Sequence, residues 1–224
     1  MKNILHRKAI AQPSNIHSIA QSFISIIASA LLSVLLSLNP AYAAEKTNCL
    51  TSSDIEGPYY VANAPFRSVI TTANEPGQHL YISGVVYAND CKTPIADAVI
   101  DVWQTNDQGC YSIVEKHCKS QDRFHLRGKL RTDAKGRYNL ETIKPGRYGE
   151  GGSIRPSHIH FKIWVKGGSV LTTQLYFKGD EYIAGDPWAS LPKAANRTIP
   201  LEKRDQKLYG EFNIVVDMAP ISTK

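Results

Sequence analysis

Two histidines two residues apart, His158 and His160, stand in the segment Arg155-Pro156-Ser157-His158-Ile159-His160-Phe161-Lys162-Ile163. Side chains alternate faces along a β-strand, so both imidazoles project to one side. Ile159, Phe161, Ile163 and Val165 then project to the other and give the strand an apolar face for a core. Two imidazoles on one strand face are spaced to share a metal ion, and the same spacing also fits a pair of surface histidines beside Lys162. Tyr111 lies just past a strand end, in Trp103 to Tyr111 (WQTNDQGCY), and Tyr148 lies in the proline–glycine turn Lys144-Pro145-Gly146-Arg147-Tyr148-Gly149; such loops carry function. With 11 tyrosines in the chain, most of them packing residues, neither stands out by itself.

The elements that must position these groups have strand length and strand period. Leu80 to Ala88 (LYISGVVYA) is rich in β-branched and aromatic residues and ends at the turn signal Asn89-Asp90. Ala98 to Gln104 (AVIDVWQ) reads as a second strand. Leu126 to Thr132 and Arg137 to Ile143 flank Asp133-Ala134-Lys135-Gly136, which has the chemistry of a hairpin loop. His158 to Val165, Thr172 to Phe177 and Glu211 to Val216 complete the set. Short strands with Gly, Pro and Asp punctuation and no long helical period predict an all-β fold, an antiparallel β-sandwich in a single domain over residues 80–224. Residues 44–79 read as an extended N-terminal arm carrying Glu56-Gly57-Pro58-Tyr59-Tyr60. Gly179 to Arg204 is less regular, and it and the arm read either as long loops over the metal site that the histidines could form or as surface connections.

Residues 1–43 read as a signal peptide. Lys2, Arg7 and Lys8 precede an apolar run of roughly 16 residues, Phe23 to Leu38, and then the small-residue site Ala41-Tyr42-Ala43. The expected location is outside the cytoplasm, periplasmic or secreted, with a membrane contact only if this segment stays uncleaved. The whole chain carries a formal net charge of +6, and 23 basic against 20 acidic residues remain once the leader is removed. That balance, without a long Lys/Arg run, gives no case for a nucleic-acid partner. Four cysteines, Cys49, Cys91, Cys110 and Cys118, suit two disulfides in an exported chain, with three connectivities open. Proximity in sequence favours Cys110 with Cys118 and Cys49 with Cys91. A thiolate metal site is the rival, and no C-x-x-C pair supports it.

The chain resembles the intradiol ring-cleavage dioxygenases, which include the protocatechuate and catechol dioxygenases. The resemblance rests on motifs in one order: GPY at 57–59, ISGVVY at 82–87, PIADAVIDVWQ at 94–104 and GCY at 109–111. RGKLRTDAKGRY at 127–138, TIKPGRY at 142–148, RPSHIHF at 155–161 and TQLYFKGD at 173–180 continue it. The resemblance implies that Tyr111, Tyr148, His158 and His160 are ligands of one Fe(3+), and that Arg155 and Gln174 stand beside the bound substrate. Two departures are evident. The stretch from Gly149 to Ile154 is short and glycine-rich, and no room exists for the helical N-terminal region typical of catechol dioxygenases. The second departure favours a protocatechuate-type or exported single-domain relative.

The residue types suit that chemistry. Phenolate oxygens are hard anionic donors that favour a hard trivalent ion. Two phenolates, two neutral imidazoles and one hydroxide balance a ferric charge in an interior where an unpaired charge is costly. The resemblance further implies that a catechol displaces hydroxide and Tyr148, the ligand on the turn, while Tyr111 stays bound. The released groups would take the diol's two protons, and Arg155 would stabilise developing negative charge with Gln174 orienting the ring. Dioxygen then opens the ring to a muconate-type diacid. The expected partners are a small aromatic diol and O2; a carboxylated ring would need a cation, for which Arg147 and Lys144 are near in sequence. The complete ligand set leaves a homo-oligomer compatible but not required. Two other readings remain open: an exported sandwich that binds sugars or peptides without metal, and a zinc or copper site using the histidines alone.

Overall fold

The computed structural model describes residues 49–112, 122–149 and 153–218; the expected leader and Cys118 lie outside them. Among the described residues ten strands form two sheets. In the first, β1 (His79–Tyr87) runs antiparallel to β4 (Arg137–Ile143) on one side, with Ile82 opposite Leu140. On its other side β1 runs parallel to β9 (Lys207–Glu211) and, at its end, to β10 (Ile214–Val215), while β8 (Glu202–Arg204) pairs with β9. The second sheet has the order β3 (Arg127–Arg131), β2 (Val99–Trp103), β5 (His158–Trp164), β6 (Leu171–Phe177), β7 (Thr198–Ile199), and only β6 with β7 is parallel.

The sandwich is the expected one, and its sheets are mixed rather than purely antiparallel. A parallel neighbour requires a long crossover. The irregular stretch after β6, with its two short 3-10 turns at Ile183–Gly185 and Pro192–Arg197, is that crossover to β7. The Asp133–Gly136 turn forms as a tight turn, its Gly136 N–H donating to the Asp133 carbonyl at 2.9 Å and Gly136 at φ +71°. It does not join a hairpin, however: β3 pairs with β2 and β4 with β1, so the turn carries the chain from one sheet to the other. The expected strand at Glu211 to Val216 is split between β9 and β10 at Phe212-Asn213. There the Asn213 side-chain oxygen, in place of a backbone carbonyl, accepts the Val85 N–H at 2.9 Å.

Alternation puts the core between the sheets. Leu80, Ile82 and Val86 of β1 meet Ile100, Val102, Phe161 and Leu175 of the second sheet. Ile159, Phe161 and Ile163 are fully buried there, as their phase with the histidines requires. The arm then crosses the outer face of the second sheet. It begins at the Cys49–Cys91 disulfide, as expected from the sequence. The Asp54 N–H donates to Thr172 at the β6 edge, and Pro65 to Ile70 bond in turn to the edges of β3 and β4, closing the sandwich on that side. Cys110 is also disulfide-bonded, with its partner outside the described residues.

Candidate metal centre

Strand register places the site. On the outer face of the second sheet one row across four strands reads Arg127, Trp103, His160, Gln174. The adjoining row holds His158 beside Tyr176. The row on the other side reads Lys129, Asp101, Lys162, Thr172. Both histidines are buried beneath the arm and the loops.

Two turns bring the tyrosines to this face. In the first, the Asn106 side chain accepts the N–H groups of Gln108 (3.0 Å) and Cys110 (2.9 Å). In the second, the Gly146 N–H donates to the Asn106 carbonyl at 2.7 Å, and the Thr105 hydroxyl donates to the Gly146 carbonyl at 2.9 Å. The turns touch backbone to backbone. A Cβ on Gly146 would lie 2.4 Å from the Asp107 carbonyl oxygen, and one on Gly109 would lie 2.1 Å from that of Arg147. Glycine at both places therefore sets the separation of Tyr111 and Tyr148. The short loop after Tyr148 leaves it seated, because the Arg155 N–H donates to the Tyr148 carbonyl at 2.7 Å.

All four expected ligands converge. Ring centroids are 5.4 Å apart for Tyr111 and Tyr148, 5.5 Å for Tyr148 and His158, and 5.0 Å for His158 and His160. The Tyr111 hydroxyl is 3.0 Å from His160 Nε2. His158 Nδ1 lies 2.7 Å from the Pro156 carbonyl, a geometry that makes Nδ1 the donor and leaves Nε2 a bare lone pair. That Nε2 is buried with no hydrogen-bond partner among the described residues. An orphaned imidazole nitrogen beside two phenols is what a metal ligand looks like before its ion is considered. Trp103 stacks on His160 at 4.6 Å and 8°, fixing the plane of that ring.

The electrostatics agree with this. Burial first, then the Arg155 charge, pushes His158 down to about 3, and burial followed by His158 takes His160 well below its ordinary value. Both imidazoles are neutral and carry available lone pairs. Burial, then Tyr148, raises the Tyr111 phenol well above its ordinary value, so only a strong Lewis acid would hold it as phenolate. Among the described residues no three His, Cys, Asp or Glu side chains gather to hold a metal. The donor set is two imidazoles and two phenols, which fits a hard trivalent ion better than zinc or copper.

Arg155 is held from several sides. Its Nε donates to Asp186 at 2.9 Å, its Nη2 donates to the Tyr176 hydroxyl at 2.9 Å, and its guanidinium lies 4.5 Å from the centroid of Trp188. Burial alone would lower it, but Asp186 and Tyr176 outweigh burial and hold it above its ordinary value. Tyr176 can donate to Asp54 (2.9 Å) or to Gln174 Oε1 (3.0 Å), while Asp54 also pairs with the fully buried Arg197. Gln174 sits beside His160, yet its amide nitrogen donates to the Ile55 carbonyl at 2.8 Å, so both ends of the amide serve the arm and Tyr176. Arg147 is taken up by Asp180 (3.2 Å) and Glu181 (2.8 Å) and packs over Tyr182. Tyr59 of the arm stacks on Tyr111 at 4.2 Å, so the GPY motif lines the site. Asp54, Asp186 and Arg197 had no sequence signal of their own, and Tyr176 had only its place in TQLYFKGD.

Comparison with known proteins shows what the whole chain is similar to. A family profile described as "Dioxygenase" matches residues 55–217. Catechol 1,2-dioxygenase 2 of Acinetobacter lwoffii is 37% identical over 157 residues, covering 61% of this chain and 54% of that protein. The protocatechuate 3,4-dioxygenase beta chain of Burkholderia cepacia is 37% identical over 163 residues, covering 67% and 69%. The chain thus spans about half the length of the first relative and about two thirds of the second. Among solved structures, the dioxygenase domain of a dioxygenase carbohydrate-binding protein fusion from Streptomyces sp. SirexAA-E superposes with a TM-score of 0.65 at 33% identity, covering 76% of this chain and 99% of that one.

Proposed function

The chain belongs to the intradiol ring-cleavage dioxygenase family, and on that footing we propose that it opens catechol-type aromatic diols with O2, using one Fe(3+) held by Tyr111, Tyr148, His158 and His160. The observation that carries this reading is the convergence of two neutral imidazoles and two phenols around the unpartnered His158 Nε2. Ferric iron bound there supplies Lewis acidity and withdraws electron density from a bound diol toward attack by O2.

The chain's own residues do the remainder. Tyr111, fully buried and backed by Tyr59, would hold the ion throughout, while Tyr148, half-buried on its turn, would have room to move away. A free Tyr148 oxygen would accept one proton of the diol, with the Arg155 guanidinium at hand to steady it through a hydrogen bond. Arg155, itself fixed by Asp186 and Tyr176, stabilises negative charge that develops on the ring oxygens. Asp180 and Glu181 take up Arg147, one of the two cations, with Lys144, that could meet a carboxylated ring, so catechol is the substrate expected first. Disulfide pairing of Cys49, Cys91 and Cys110 supports the proposal that residues 1–43 direct export. Oxygen uptake with catechol and with protocatechuate tests the activity. Preferred turnover of catechol is expected; no uptake with either by the iron-loaded protein overturns it and returns the choice to a metal-free binding module.

A further inference from the structure

Arg127 carries a charge for which the catalytic scheme has so far given no use. It begins β3 at the end of the row that leads through Trp103 to His160, and it is 1% exposed. Its Nη1 donates to the Tyr59 carbonyl at 2.7 Å, and its Nε lies 3.4 Å from the Ser112 hydroxyl. Its Nη2 is buried with no hydrogen-bond partner among the described residues. The guanidinium carbon stands 5.9 Å from the centroid of the Tyr111 ring. No described carboxylate is within ion-pair distance; after burial, which lowers it, the groups that act on its charge are the Tyr111 phenol and then Asp101, in the adjoining row. A buried cation left this way is costly unless an anion is supplied.

We propose that Arg127 is a positioning residue whose fixed charge faces the Tyr111 phenolate formed when iron binds, strengthening retention of the metal and setting the energy of the tyrosinate-to-iron transition. The two roles of its head group are then one device. Nη1 holds the arm so that Tyr59 covers one side of Tyr111, and the charge acts on the ring beside it. Lys at this position would keep the charge and lose the Nη1 bond to the Tyr59 carbonyl. A neutral residue would lose both. Removing a nearby cation raises the energy of the phenolate lone pairs, which lowers the energy of charge transfer to iron. Asp101 acts in the opposite sense, because its carboxylate offsets the guanidinium.

This inference rests on the iron reading above, and one set of spectra separates the two. Wild type, R127M, R127K and D101N are loaded with ferric iron, and their visible bands and iron loss to a chelator are recorded without substrate. The R127M band is expected at longer wavelength by on the order of ten nanometres, with iron held about 10–100-fold more weakly. R127K should stay close to wild type in band position, and D101N should move slightly to shorter wavelength. A wild-type band that neither R127M nor D101N displaces overturns this inference alone and leaves Arg127 as an anchor for the arm. A wild type without any tyrosinate band overturns the iron reading, and this inference falls with it. If R127M does not accumulate as folded protein, the D101N displacement decides.

Discussion

Replacing Asp54 by Ala should unfold the protein at a much lower temperature, although Asp54 lies far in sequence from the two buried side chains it supports, Arg197 and Tyr176. Its carboxylate accepts from Arg197, whose side chain is 0% exposed, and from Tyr176 at 2.9 Å. Without it, Arg197 keeps only the Ser52 hydroxyl at 2.9 Å and the Gln174 carbonyl at 3.2 Å, neither of them charged. Breaking a buried pair by removing one partner costs about 3–5 kcal/mol. For a domain of this size that corresponds to a fall in Tm of about 6–20 °C. Thermal melting followed by circular dichroism measures it, with E202Q, in the exposed Glu202–Arg204 pair, as a control expected to melt like wild type. The double variant D54A/R197M should melt above D54A, since it removes the stranded charge. A D54A protein within about 1 kcal/mol of wild type, or a double variant that loses the sum of the two single losses, would refute the reasoning.

Other outcomes follow from the same structure. Asp101 is raised to about 6, chiefly by burial and against the pull of Lys129 and Tyr60. A carboxyl held higher folded than unfolded stabilises when protonated, so this contribution is lost as pH rises from about 4 through about 6. D101N should therefore be more stable than wild type at pH 7.5, by about 1–3 kcal/mol, with the gap closing near pH 4; denaturant melts at the two pH values check it, and a less stable D101N at pH 7.5 contradicts it. G146A should push the tyrosine turns apart and weaken iron retention about 10-fold or more, measured by chelator competition; unchanged retention would mean the turns can shift without moving the tyrosines. Y148F should keep a weaker tyrosinate band while Y111F loses most of it, because Tyr111 is the buried ligand; the reverse order in the visible spectra would exchange their roles. R155M should move the iron band to longer wavelength, as R127M does, because its charge also acts on Tyr111, and it alone of the two should lower kcat by about 10²–10³; steady-state kinetics showing a change in KM alone would remove its charge-stabilising role.

Much of the site was legible because its signals are local. The period of two in β5 fixes which residues face the metal and which face the core, and it needs no knowledge of the partner strands. The strands around it were bounded by turn chemistry to within a residue or two. What could not be read depends on contacts between distant segments. The Asp133–Gly136 turn looks the same whether it joins neighbours in one sheet or crosses between sheets, since only the identity of the pairing strand distinguishes them. Asp54 and Arg197 lie 143 residues apart, and a lone Asp in an arm and a lone Arg in an irregular loop carry no pattern. Arg127 becomes visible only through the register of four strands, and the uses of Asp186 and Tyr176 only through Arg155. The motif residues at Tyr111 and Tyr148 were apparent only as a set, because a tyrosine that packs and a tyrosine that binds differ by surroundings and not by neighbours in sequence.

The most direct test of the central claim is the visible spectrum of the ferric protein before and after addition of catechol. A broad tyrosinate-to-iron band that moves when the diol is added is the expected result, and it would join metal, phenolate ligation and substrate access in one measurement. A protein that stays colourless after iron loading would contradict the four-ligand centre.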